Sequence, residues 1–218
     1  MVPHRRRNPK VTTTLGTGQV LKGALEKGFD RVIVGLGGSA TNDAGAGMAT
    51  ALGARFLDAS GNALPPGGSA LARLDRIDTS NMLAQIGNAE IVAATDVTNP
   101  LCGPTGASAV YGPQKGASPE VVAELDAALQ NFARVVRHDL GQDILDTPGA
   151  GAAGGLGAGL MAFAGAKIQS GIDMVCQVLD FDSHLAGADL VITGEGRADH
   201  STVFDKAPVG VARHARAH

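Results

Sequence analysis

The stretch Arg31-Val32-Ile33-Val34-Gly35-Leu36-Gly37-Gly38-Ser39-Ala40-Thr41-Asn42-Asp43-Ala44-Gly45 decides the fold. Its β-branched run, Val32 to Val34, reads as a buried strand, and the glycines that follow turn the chain into a helix expected from about Asn42 to Leu52. Backbone N–H groups left unpaired at such a turn sit at the positive end of a helix dipole, and glycines let an anion approach them. The turn is therefore a candidate cradle for phosphate or carboxylate. Gly37 and Gly38 would offer main chain, Ser39, Thr41 and Asn42 side-chain hydrogen bonds, and Asp43 a ligand for magnesium or a partner for a substrate hydroxyl. Two plainer readings stand beside it. Thr41, Asn42 or Asp43 would simply cap the helix, or the turn would bind a dinucleotide, since Gly35, Gly37 and Ala40 fit GxGxxA with Asp58 downstream as a ribose contact.

Outward from this stretch, strand and helix patterns alternate. Val20, Leu21, Ala24 and Leu25 recur at helical spacing until Gly28. Short strands are expected at Arg55 to Leu57 and Glu90 to Ala94, and a long helix from the N-cap Ser118, with Pro119 and Glu120 in its first turn, to Gly141. The glycine and alanine stretch Gly149 to Gly159 runs into a helix carrying Leu160, Met161 and Phe163. A helix from about Ile172 to Leu179, a strand at Asp189 to Thr193 and a helix from near Ala207 follow. Strand followed by helix implies an α/β fold of mostly parallel sheets flanked by helices. Thr147 and Pro148 mark the candidate boundary. Residues 1–147 would form an α/β domain around the glycine-rich loop, and residues 148–218 part of a second, incomplete α/β domain.

Composition narrows the function. With 44% hydrophobic residues, 31 glycines and a formal net charge of −3, the 218-residue chain belongs with globular proteins whose helices pack closely on a sheet. The basic run Arg5 to Arg7 sits in an acidic chain with 3% aromatic residues, too few to stack bases, so nucleic acid is not expected as a partner. No apolar run reaches bilayer length, and the basic start lacks the apolar stretch of a signal peptide. Cys102 and Cys176 form no CxxC pair. A cytoplasmic location follows as an expectation, and the oligomeric state stays open.

Three further stretches could carry chemistry. Thr95 to Ala107 begins at a strand's carboxyl end, where ligands of open α/β sheets gather, making Asp96 and Asn99 candidates for substrate or metal contact and an Asx-type turn the plainer alternative. Lys115, in Gly112-Pro113-Gln114-Lys115-Gly116, is a candidate to neutralise phosphate or else a solvated loop lysine. In Thr193-Gly194-Glu195-Gly196-Arg197-Ala198-Asp199, Glu195 and Asp199 are candidate magnesium ligands or proton acceptors, with Gly194 and Gly196 as main-chain contacts. Arg197 would grip a carboxylate or phosphoryl group with two parallel bonds. Lys206, at the start of the last helix, could serve an anion together with that helix's N-terminus.

Several of these stretches stand in a fixed order: Arg7-Asn8-Pro9 with Thr12-Thr13-Thr14, Gly37 to Gly47, Leu64-Pro65-Pro66-Gly67-Gly68, Asp96 with Asn99-Pro100-Leu101, Gly112 to Gly116, Gly151 to Gly159, and Gly194 to Arg197. Through them the chain resembles the bacterial-type glycerate kinase family over nearly its whole length. The resemblance implies a two-domain glycerate kinase type I fold with its site in the cleft between domains. It also implies ATP-dependent, magnesium-assisted phosphoryl transfer to a hydroxyl of D-glycerate, giving 2-phosphoglycerate or 3-phosphoglycerate. On this reading Arg197 binds the glycerate carboxylate or the transferring phosphoryl group, Asp199 or Asp43 serves magnesium or the hydroxyl, and Gly37 to Asn42 receive an anionic group. The family's opening strand with its Asp-Ser-Phe-Lys-Gly motif would precede Met1, and the family continues past His218, so a chain truncated at both ends is expected. Ser201 and Asp205 stand where the family usually has glutamine and glycine. A nicotinamide-dependent oxidoreductase and a non-catalytic fragment remain the alternatives.

Overall fold

The structure, a computed structural model, describes residues 7–196 and 207–218. Five strands and eight α-helices are formed among them. Strands β1 (Arg31–Gly35), β4 (Glu90–Ala94) and β5 (Lys167–Gln169) make a parallel sheet in the order β1-β4-β5. Strands β2 (Arg55–Leu57) and β3 (Arg76–Asp78) make a separate antiparallel ribbon. The helices are α1 (Leu15–Glu26), α2 (Ala46–Ala51), α3 (Ala107–Tyr111), α4 (Pro119–Leu140), α5 (Ala152–Ala164), α6 (Gly171–Val178), α7 (Phe181–Leu185) and α8 (Ala207–Ala217).

One face of the parallel sheet is covered by helices. Ile91 and Ala93 of β4, joined by Val32 and Val34 of β1, pack under Leu21 and Leu25 of α1, Met48 of α2, and Leu156 and Leu160 of α5. β4 is the central strand and buries Ile91, Val92 and Ala93, as a strand paired on both sides should. β1 differs from expectation: with β4 as its partner at the sheet's edge, it alternates between exposed and half-buried positions, and Ile33 is 46% exposed.

A second core lies between α4, the β2–β3 ribbon and α5. Phe56, Phe132 and Phe163 meet there, with ring centroids 5.6 to 6.3 Å apart. The spacing matches edge-on and offset aromatic packing. Helix α4 starts where its sequence dictates: Ser118 Oγ accepts from Val121 N–H at 3.4 Å, and Gly141 ends the helix in the left-handed region with φ 68°. Helix α5, beyond Pro148, lies in this same core through Ala158, Ala162 and Phe163.

Two further expectations change. Helix α2 begins at Ala46 rather than near Asn42, because Ala44 and Gly45 take left-handed φ values of 51° and 75° and the side chains of Asn42 and Asp43 bond elsewhere. The apolar run Asp189 to Thr193 forms no strand; Leu190 is 77% and Ile192 87% exposed, with no strand pairing for them among the described residues. β-branched composition favours a strand only where a neighbour completes its hydrogen bonds.

Candidate functional site

The loop after β1 is held residue by residue. Thr12 Oγ1 donates to Ala40 O at 2.6 Å, Lys115 Nζ to Thr41 O at 2.7 Å, and Asn42 Nδ2 to Ser108 Oγ at 2.9 Å. Asp43 Oδ2 accepts from the Thr14 amide at 2.8 Å, the Thr14 hydroxyl at 3.0 Å and the Gly47 amide at 3.2 Å, while its Oδ1 accepts from the Gly45 amide at 3.3 Å. Ala44 N–H completes the series by donating to Gly154 O at 3.1 Å. Five successive residues are thus tied to the segments before α1, around α3 and in α5. Beyond the tied portion, Gly37 and Gly38 are exposed, and a Cβ at either would meet nothing within 4 Å. Ser39 and Thr41 are half-buried between the two regimes.

The α5 glycines explain how the loop can lie so close. Gly154 and Gly155 have φ of 74° and 88°; a Cβ on Gly154 would run into Thr41 O, and one on Gly159 into Ala44 O. Main chain therefore packs directly on main chain, which only glycine permits at these positions.

Lys115 and Asp43 are the buried charged side chains of this region, 2% and 1% exposed. Burial pushes the Lys115 ammonium down to about 8, while the nearby Asp43 carboxylate pulls it back up. The expectation of a solvated Lys115 is thereby revised: the side chain is buried and its Nζ bonds to main chain. Asp43, expected as a magnesium ligand, has both oxygens filled by N–H and O–H donors. A carboxylate so engaged does not fit a metal site, and no group of three His, Cys, Asp or Glu suited to a metal exists among the described residues.

Parallel pairing brings the neighbouring strand tips alongside. Leu36 N–H donates to Ala94 O at 2.8 Å and Thr95 N–H to Gln169 O at 2.9 Å, so Gly37, Asp96 and Ser170 leave the sheet together at its carboxyl edge. Asp96 is exposed there, and its Oδ1 accepts from Gly171 N–H at 2.8 Å, at the start of α6. Asn99, by contrast, spends both ends of its amide internally: Nδ2 donates to Thr105 O at 2.8 Å and Oδ1 accepts from Tyr111 Oη at 2.7 Å. These two bonds brace the 99–105 loop.

A cavity of about 680 Å³ opens beside the β5 tip, lined by Gln169, Ser170, Asp173, Arg213 and His214 among others. Gly194, Glu195 and Gly196 lie on an exposed segment, while Arg197, Asp199 and Lys206 fall outside the described residues.

The dinucleotide alternative loses its ribose contact. Asp58 follows β2, which belongs to the antiparallel ribbon rather than the parallel sheet, and its Oδ1 accepts from Ser60 and Asn62 amides, both at 2.9 Å, within its own turn. Thr14 and Ser108 are functional supports that residue-type reasoning passed over. Thr14 stands in the Thr12-Thr13-Thr14 run, one of the ordered stretches, whereas Ser108 sits in an ordinary short helix with no motif of its own.

Comparison with known proteins adds independent information. The glycerate kinase family profile matches residues 1–218. A protein named glycerate kinase from Bacillus subtilis (strain 168) is 50% identical over 218 residues, covering 100% of this chain and 57% of the relative. One named glycerate 2-kinase from Escherichia coli (strain K12) is 50% identical over 216 residues, covering 99% of this chain and 57% of its own length. The crystal structure of a protein named as a glycerate kinase 2 from Salmonella typhimurium LT2 superposes with a TM-score of 0.89 at 51% identity, over 99% of this chain and 58% of that one. The chain thus spans a little over half the length of the relatives it matches.

Proposed function

Because this chain belongs to the glycerate kinase family, we propose that it is the part of an ATP-dependent glycerate kinase that carries the phosphate-facing loop. The reaction moves the γ-phosphoryl group of ATP to a hydroxyl of D-glycerate, yielding a phosphoglycerate and ADP. The observation that supports this reading within the fold is the pinned main chain of Ala40 to Ala44 beneath an open Gly37–Gly38 tip. Fixed amides aimed at an anion need no reorganisation when charge moves, and phosphoryl transfer depends mainly on such positioning and charge neutralisation.

In this scheme Gly37, Gly38, Ser39 and Thr41 receive an anionic group, while Asp96, at the adjacent strand tip beside the α6 amides, orients the glycerate hydroxyl. Arg197 takes the carboxylate or phosphoryl oxygens, and Glu195, Asp199 and Lys206 complete the charged segment. A magnesium ion would accompany ATP in this chemistry, and the buried Asp43, whose oxygens already accept four hydrogen bonds, would not be its ligand. No helix among the described residues is long and apolar enough to cross a membrane, and a cytoplasmic setting is part of the proposal.

The test is an assay of ATP-dependent phosphorylation of D-glycerate by the chain, with product identity read by phosphorus NMR and Arg197→Ala as control. Turnover that falls by roughly a hundredfold or more in the variant supports the scheme. Unchanged turnover removes Arg197 from it. If the chain shows no turnover, a rise in melting temperature with ATP and none with NADH would favour a ligand-binding portion of a longer enzyme, which the chain's share of its relatives' length favours as the second reading.

A further inference from the structure

A lysine buried to 2% exposure is uncommon, and keeping its ammonium out of water costs stability unless partners compensate. Lys115 has such partners in the Thr41 carbonyl and the Asp43 carboxylate. Its backbone is fixed in a 3-10 turn, Pro113–Lys115, in which Lys115 N–H donates to Gly112 O at 2.9 Å and Gly116 closes the turn with φ 92°. From this base the side chain reaches across to the loop after β1, and Nζ donates to Thr41 O at 2.7 Å.

The acceptor is informative. Thr41 O belongs to the main chain three residues after the open Gly37–Gly38 tip and immediately before Asn42 and Asp43, both essentially buried. Asn42 Oδ1 is buried without a hydrogen-bond partner among the described residues, so the loop keeps one unsatisfied acceptor even with every tie in place. An unmatched buried acceptor costs stability, which the ties from outside the loop help to offset. Lys115 supplies a charged one, and charge-assisted bonds are about twice as strong as neutral ones. The Asp43 carboxylate on the same loop balances the cation, and Arg7 holds the turn itself, its guanidinium donating to Gln114 O at 2.8 Å.

We propose that Lys115 is a positioning residue: bonded to the Thr41 carbonyl, it fixes the main chain of Gly37 to Asn42 in its ligand-receiving form without itself touching the ligand. This deepens the reading of that loop as an anion cradle and rests on it for the identity of the ligand, but the effect on the loop stands by itself. It also separates two roles that a lysine near a phosphate usually confuses, direct neutralisation and main-chain placement.

Three measurements decide it. Hydrogen exchange on the ligand-free chain should show peptides covering residues 37–42 exchanging roughly tenfold faster in Lys115→Met, with peptides from the middle of α4 unchanged. ATP, used as the probe in titration calorimetry, should bind roughly ten- to a hundredfold more weakly to Lys115→Met, with much of the loss restored in Lys115→Arg. In the wild-type chain, the Nζ resonance of Lys115 should be visible as a protected ammonium and should stay in place when ATP saturates the protein. Unchanged exchange of residues 37–42 overturns the proposal, as does an Nζ resonance that moves strongly with ATP, which would mean direct contact. If Lys115→Met does not fold, the wild-type resonance and Lys115→Arg still decide, the latter overturning the proposal if it folds with its loop unprotected. If wild-type chain fails to bind ATP while the exchange result holds, the cradle's proposed ligand is wrong and the positioning role of Lys115 is not.

Discussion

At the scale of single residues, the loop is governed by polar side chains that never meet solvent. Asp43 is the plainest case, since one carboxylate collects three amide donors and one hydroxyl. Asp43→Asn would turn an amide N–H₂ toward groups that are themselves donors. Leaving buried donors unmatched costs about 1–3 kcal/mol apiece, so a loss of about 3 kcal/mol is expected. Urea unfolding should show it as a lower midpoint with an unchanged slope; a loss below about 0.5 kcal/mol would mean that the carboxylate is not the anchor described. Residue types alone could mark Asp43 and Lys115 as important but could not assign their direction. An aspartate before a helix reads equally as cap, metal ligand or anchor, and only the donors around it choose between them.

At the scale of elements, close approach of α5 to the loop decides the geometry. Gly154 combines a left-handed φ of 74° with the Thr41 carbonyl where a side chain would stand. Gly154→Ala should therefore cost more than either effect alone, at least about 2 kcal/mol, and should loosen the 37–45 loop in hydrogen exchange before the rest of the fold. Gly165→Ala, also left-handed at φ 59° but with open space around it, gives the control for backbone strain without collision. Equal losses in the two variants would refute the main-chain contact.

The elements also show where sequence was a sufficient guide. Helix α4 was legible end to end because its start and stop signals are local: Ser118, Pro119, Glu120 and Gly141 act on the chain next to them. β3 and β5 were not, since three residues such as Arg76 to Asp78 carry no period and become strands only by pairing with β2 and β4. The failed strand at Asp189 to Thr193 is the converse, a good local signal without a strand partner among the described residues.

Across the whole molecule, the described polar contacts of the last helix with the rest centre on one histidine. His214 of α8 places Nδ1 2.6 Å from Asp182 of α7 and Nε2 3.1 Å from Asp173 of α6, with Arg213 also on Asp173 and His218 3.7 Å from Asp182. Carboxylates accept and do not donate, so both ring nitrogens carry hydrogen when both bonds are made. The Asp182 bond first, then the Asp173 bond, raises the His214 pKa above its ordinary 6.5. A raised folded-state value means that this contribution to stability is fully present below about pH 6.5 and is lost as pH rises through the folded-state value. Melting curves of the wild type should fall relative to His214→Gln over that window, and parallel curves for the two proteins would exclude the clamp.

The seat of the loop on α5 also bears on how this fold can be re-engineered. Because the contact is made by carbonyl oxygens and α-carbons, the side chains at positions 39, 40 and 41 are not part of what holds the cradle in shape. Directed-evolution libraries that vary these three positions should therefore return many folded clones with altered ligand preference, whereas libraries at 154, 155 and 159 should return mostly insoluble ones. The molecule separates the positions that can learn a new substrate from those that must stay blank.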